Sequence, residues 1–365
     1  MLTLKKSFQL LAAILFVLTT FTVKAGGAEG EERKDPASQE FVSEFIDHHL
    51  MDDHYYSFYG DGFTGKHYGF GLPVILFDGG LKVFMSDEDF VYKGKVKEID
   101  GNYYKYDHGK IYKTDAEGTI SYDEHHHPTN EKPFDFSITK NVFGLLLASV
   151  LLFLGFTSLA KTYKGSPNNL PKGFARALEP LVIYVRDEMA RPNIGDKKYK
   201  KFMPYLLSVF FLIFLLNLLG LTPLGLNVTG NISVTVALAL FTFLYTNLSA
   251  NADYWKHIFW MPGVPVPMKI VLAPIEVLGM FTKPFSLLIR LFANITAGHS
   301  VVMGLIAVAF VMKQSLGTGG AAGVSFLLTT FLTFLEILVA FLQAFIFTML
   351  SSLFIGSAVQ DHDHH

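Results

Sequence analysis

The chain has 365 residues and no cysteine. Disulfides, thiol nucleophiles and cysteine-bound metals are therefore excluded. The local patterns of membrane hydrolases are missing too. There is no His-Glu-x-x-His run and no serine inside a Gly-x-Ser-x-Gly elbow. The two halves do not repeat each other, as the inverted halves of many secondary transporters do. Charge is the most telling absence. Residues 141–160, 202–221 and 232–250 contain no Asp, Glu, Lys or Arg.

What is present is hydrophobic: half of the residues, with 35 Phe among them. Each uncharged run is long enough to cross a hydrocarbon core of about 30 Å as a helix. Residues 270–312 and 324–359 are longer still. A perpendicular crossing needs only about 20 residues, so these two must tilt, bend or extend beyond the bilayer. A tilted pair forming a wall inside the membrane is the reading favoured here.

Charge also gives a direction. Residues 26–135 hold 23 Asp/Glu against 11 Lys/Arg, and residues 161–201 hold ten Lys/Arg against four acids. The basic loop is expected on the cytoplasmic side. The start reads as a secretory signal: Lys5-Lys6, an apolar stretch over 8–23, and Val23-Lys24-Ala25 before Gly26. An uncleaved first membrane helix is the alternative. The expected organisation is a signal peptide over 1–25, an extracytoplasmic domain over 26–135, a membrane domain over 136–360 and a polar cytoplasmic tail over 361–365.

Within the extracytoplasmic part, residues 36–59 read as a short amphipathic helix. Residues 68–122 read as a β-meander with strands over 72–77, 81–85, 91–96, 102–106, 110–113 and 119–122. Asp78-Gly79-Gly80, Asp100-Gly101, His108-Gly109 and Glu117-Gly118 supply the turns. In the basic loop, residues 173–190 predict a surface helix with Phe174, Leu178, Leu181 and Val185 on one face. The fold class is thus an all-α polytopic membrane protein with five crossing helices, the last two long and steeply tilted. One amphipathic surface helix and a small β-rich N-terminal extracytoplasmic domain complete it.

Ionisable residues inside the apolar runs are few. Arginine keeps its charge at any accessible pH, and a charge at bilayer depth costs from about 3 to above 10 kcal/mol. Arg290 lies in a run, 285–295, with no other charge. Glu276, Lys283 and Arg290 are spaced by sevens and share a helical stripe, and Asn294 follows on that face. His299 falls about 180° round and about 13 Å further along. In the last segment the only charge is Glu336, with Gln343 seven residues later. Bland readings exist for each. Glu276 and Lys283 can snorkel to a boundary. Asn294, His299 and Gln343 can serve helix packing. Arg290 and Glu336 can form a static ion pair. One fixed cation, one acid, one imidazole and two amides on adjacent segments point further, to an ion or proton path.

These residues carry a resemblance. Arg290-Leu-Phe-Ala-Asn-Ile-Thr-Ala-Gly298 and Leu342-Gln-Ala-Phe-Ile-Phe347 resemble the last two helices of subunit a of the F-type ATP synthase. The likeness extends through Glu276, Lys283-Pro284, Asn217-Leu-Leu-Gly-Leu-Thr-Pro223, Asp135 and Ile46-Asp-His-His-Leu50. It implies a bacterial inner-membrane stator with two offset proton half-channels. The trans-side one would use Asp135, Asn294, His299, Glu336 and Gln343, with help from Ser233 or Asn231. The cytoplasmic one would open near Glu276 and Lys283, and Arg290 would stand between them. Implied partners are the c-subunit ring, peripheral-stalk b subunits, the F1 sector, lipid and the translocated proton. No cofactor, metal or nucleic acid is implied. Many bacterial members carry Glu where this chain has His299 and His where it has Glu336, so the pair is exchanged here. The insert of about 75 residues before the first crossing is absent from typical members. An ion channel or secondary transporter with its own Arg/Glu/His path is the alternative. A metal role for His125-His-His127 is disfavoured, because consecutive side chains do not converge on one ion.

Overall fold

The computed structural model describes residues 52–61, 66–125, 127–165, 174–222, 226, 228–261 and 263–359. The expected signal peptide, most of the helix expected over 36–59 and the polar tail over 361–365 lie outside the described residues. Residues 55–59 of that expected helix are instead part of strand β1, Tyr55–Asp61, which pairs with β2, Lys66–Gly71. Aromatic residues dominate both strands, which suits an extended backbone better than a helix.

Three small antiparallel sheets replace the single expected meander. Beside β1–β2 there is β3 (Pro73–Phe77) between β4 (Leu81–Met85) and β8 (Phe134–Asp135). The third sheet runs β5 (Lys97–Ile99), β6 (Asn102–Asp107), β7 (Lys110–Thr114). Its two hairpins turn on Asp100-Gly101 and His108-Gly109, all four residues at positive φ. That is the tight-hairpin geometry such pairs favour. Two expected strands fail. Over 91–96 no strand forms: Val91 ends a short helix, α1 (Glu88–Val91), which Asp87 starts by accepting the Phe90 N–H at 2.8 Å as an N-cap, and strand pairing begins only at Lys97. Over 119–122 there is only a single bridge, Tyr122 to Pro128. Tyr55, Val74, Leu76, Phe90, Tyr104, Tyr106 and Ile111 form the core of this region.

The bundle begins with α2 (Lys140–Gly165), followed by α3 (Phe174–Tyr184), a π-helical stretch Val185–Ala190 and α4 (Arg191–Ile194). The expected surface helix is thus α3 and its continuation. Leu178, Val185, Met189 and Ala190 are buried in the bundle core, so its apolar face is covered by protein. Next come α5 (Tyr199–Gly220), α6 (Ile232–Leu248) and α7 (Ala252–Phe259). The helical run Val266–Val359 is broken once, at Gly317, with φ 69° and ψ 171°. The limb before the break is α8 and the limb after it α9.

Among the described residues, four helices are long and apolar enough to cross a membrane, or five if the bent pair α6–α7 is one span. The pair meets at 103°. With 17 residues, α6 reaches only about 25 Å, a little short of the core. At the other extreme α8 extends about 75 Å and α9 about 60 Å. Tilt or projection beyond the bilayer follows from those lengths alone.

Two contacts place the parts. Tyr56 and Leu72 of the β-rich region pack with Ala148 of α2, Leu216 of α5, Leu226 and Val228. Burying side chains of this size contributes about 1.5–3 kcal/mol each. The far end of α9 is held by other segments. Asn251 donates its backbone N–H to Ala358 O at 2.9 Å and its amide to Val359 O at 2.9 Å, and Lys198 Nζ donates to Val359 O at 2.6 Å.

Candidate functional site

Arg290 is half-buried on α8, between buried Leu287 and Leu291 and exposed Phe285 and Ile289. Among the described residues it makes no ion pair, and the static Arg290–Glu336 pair is not formed. The guanidinium therefore lies at the edge of an apolar wall. Phe281, Phe285, Ile289, Phe331, Phe334 and Leu338 expose large side chains on α8 and α9.

Glu336 lies deeper. It lines a cavity of about 40 Å³ with Asn217, Thr229, Gly298 and apolar residues that include Leu216, Leu226, Val339 and Ala340. Space of that size admits about two or three waters, given polar partners. The polar wall is organised. Thr229 donates its hydroxyl to Asn217 Oδ1 at 2.9 Å, and Asn217 Nδ2 approaches Ala340 O at 3.5 Å. Gly298 permits the arrangement: a Cβ there would lie 3.3 Å from Glu336 Oε1. A larger side chain at 298 would press on the carboxylate.

His299 follows Gly298 in α8, and Asn294 is one turn earlier; their side chains are outside the described set. Gln343 is buried on α9, 1% exposed, and is not among the cavity residues. Asn217 and Thr229 were not singled out as site residues from sequence. Asn217 belongs to a motif quoted above, whereas Thr229 sits in the turn Val228–Gly230 and has no periodic signal.

The other expected positions are spread out. Lys283 lies over the rings of Phe354 (5.4 Å) and Tyr254 (5.9 Å), and it lines a second, smaller space with Thr246, Asn247 and Met280. Glu276 is half-buried two turns earlier on α8. Asp135 is not on the Glu336 cavity but on β8, where His54 Nε2 donates to it at 3.1 Å. Burial raises the Asp135 carboxyl, and hydrogen bonds from His54 and Ser137 outweigh that and hold it below its ordinary value. Asn231 caps α6, accepting the Ser233 N–H at 2.9 Å; the Ser233 side chain is exposed.

Known proteins resemble this chain in sequence over most of its helical part. A family model described as ATP synthase A chain matches residues 142–356. The chain belongs to the ATP synthase A chain family. The β-rich region, residues 45–136, matches a domain of unknown function (DUF8433). "ATP synthase subunit a 2" of Chlorobaculum tepidum is 46% identical over 238 residues, covering 64% of this chain and 66% of that protein. "ATP synthase subunit a" of Chlorobium phaeobacteroides is 46% identical over 240 residues, or 64% and 68%. A subunit a from an Anaeromyxobacter species is 43% identical over 239 residues, or 63% and 56%. The chain therefore spans a little over half to about two thirds of these relatives. The A chain fold is that of a multi-pass membrane protein, and the long helices of this chain agree with it.

Proposed function

We propose that this chain is the stator proton-path subunit of a rotary ATP synthase. The supporting observation is the pairing of two features on one helical hairpin. Arg290 has no ion-pair partner among the described residues and neighbours exposed apolar side chains, and Glu336 lines a small, mostly apolar cavity with Asn217 and Thr229. An unpartnered cation at bilayer depth is costly. A carboxylate on a passing c subunit, docked on that wall, would neutralise it.

In this reading a proton enters from the trans side past Glu336 and His299, with Asn294, Gln343 and Asp135 along that side. It neutralises a c-ring carboxylate, rides the ring and leaves near Glu276 and Lys283. Arg290 favours the ionised carboxylate, which forces release, and its charge repels a proton attempting to pass directly. Each charge moved across the membrane is worth about 2.3 kcal/mol per 100 mV. Residues 1–25 serve as a cleaved signal, residues 26–135 face the periplasm, and the C-terminus faces the cytoplasm of an inner-membrane complex with peripheral stalk and F1. The deciding experiment is Arg290→Ala in the purified, reconstituted complex. Proton-driven ATP synthesis is expected to vanish with the complex intact, and synthesis at the normal rate overturns the assignment.

A further inference from the structure

Donors from the starts of two helices, α2 and α6, converge on one carboxylate that belongs to neither. Asp52 lies in the β-rich region, three residues before β1. The backbone N–H of Asn141, at the head of α2, donates to its Oδ1 at 2.9 Å. The Thr139 hydroxyl donates to Oδ2 at 3.0 Å. Asn231 Nδ2, from the residue that caps α6, donates to Oδ2 at 3.3 Å. The Asn141 side chain engages the same carboxylate, so the roughly four acceptor sites of an ionised carboxylate are served here by the starts of two helices.

The position of Asn231 matters. Two residues before it, Thr229 lines the Glu336 cavity and binds Asn217. The short turn Val228–Gly230 thus has the cavity on one side and Asp52 just beyond. A second group at the same place lacks a partner. His54 is 2% exposed, and its Nδ1 has no hydrogen-bond partner, while Nε2 is engaged by Asp135. Buried polar atoms almost always find partners or water. The charged and titratable groups around Asp52 are Asp53 and His54 on its own segment, Lys140 on α2 and Tyr106 on β6.

We propose that Asp52, supplied by the β-rich region, is a proton-accepting group at the mouth of the trans-side path and hands protons toward the Glu336 cavity. The step is simple: the carboxylate takes up a proton from trans-side water to become a carboxylic acid, then releases it inward and returns to the ionised form. This proposal rests on the proton-path reading above. It assigns the β-rich region a part in ion entry.

A capping role for Asp52 is the competing account, and asparagine separates the two. Asn caps helices about as well as Asp, but it cannot take up a proton. The test uses the complete complex in proteoliposomes, with passive proton conduction and gradient-driven ATP synthesis as readouts. Asp52→Asn is expected to slow both roughly tenfold, the low side of what a positioned proton-transferring group contributes, with the subunit content of the complex unchanged. Adding Thr139→Asp, which returns a carboxyl group to the other side of the same hydrogen bond, is expected to restore most of the rate. Wild-type rates in Asp52→Asn, or a loss that Thr139→Asp leaves untouched, overturn the proposal. Arg290→Ala is run alongside. If that variant still makes ATP, the proton-path reading itself falls; if it is inactive, the Asp52 outcome stands alone.

Discussion

Replacing Thr229 by valine is the most direct probe of the Glu336 cavity. The two side chains have nearly the same shape, so the cavity of about 40 Å³ neither grows nor closes. What is lost is one hydroxyl, which donates to Asn217 Oδ1 at 2.9 Å with both residues buried, 2% and 7% exposed. The other contact of the Asn217 amide, to Ala340 O, is long at 3.5 Å and does not hold its orientation firmly. An unsatisfied buried acceptor costs about 1–3 kcal/mol. At about 1.4 kcal/mol per factor of ten, the low end of that range predicts roughly a fivefold fall in passive proton conduction by the reconstituted complex. Thr229→Ser keeps the donor and is expected to retain most conduction. The pair should also behave as a unit: with Asn217→Leu already present, Thr229→Val is expected to cost little more. Unchanged conduction in Thr229→Val, or full additivity of the two substitutions, refutes the role given to this wall.

Other outcomes follow from the same geometry. Exchanging His299→Glu together with Glu336→His is expected to retain more ATP synthesis than either single change; a double variant no better than the worse single one removes the shared path. Burial raises the Asp52 carboxyl above its ordinary value, more than its hydrogen bonds lower it. The folded state therefore holds that proton more tightly than the unfolded chain, and this stabilisation fades as pH rises through the folded pKa. At neutral pH the ionised form is a burden, so Asp52→Asn should raise the melting temperature of the complex at pH 7 and leave it unchanged at low pH; a lower Tm at pH 7 contradicts the sign. Gly317 has a backbone conformation that only glycine adopts readily, so Gly317→Ala is expected to destabilise the α8–α9 turn by about 1–3 kcal/mol. Limited proteolysis and thermal melting of the complex measure it, and an unchanged melt speaks against the turn as drawn.

How much could be read in advance depends on the range of the forces involved. Strand Leu81–Met85 was legible because alternation and the preceding Gly79-Gly80 are local. The helix at Glu88–Val91 has an equally local cause that the strand pattern over 91–96 did not weigh: Asp87 caps it. Residues 119–122 had the right composition and no partner strand to pair with. The uncharged runs and the long last pair followed from the bilayer as solvent, which acts on every residue alike. The site divides similarly. Glu336 and Arg290 stood out because charge is rare there. Thr229 and Asp52 did not. The partners of Asp52 lie 87, 89 and 179 residues away, and nothing in its neighbourhood along the chain hints at them.

The two ends of α9 are held very differently. At Val359 the last carbonyls are gripped by Asn251 and Lys198, from two separate segments. At the other end the chain folds back through one exposed glycine, Gly317. In mechanical terms α9 is a beam about 60 Å long, anchored over its C-terminal half by the bonds from Asn251 and Lys198 and by Ala344, Phe347 and Ile355 in the bundle core, while its N-terminal half stands more exposed. A sideways load on the exposed half would bend the helix about that anchored stretch.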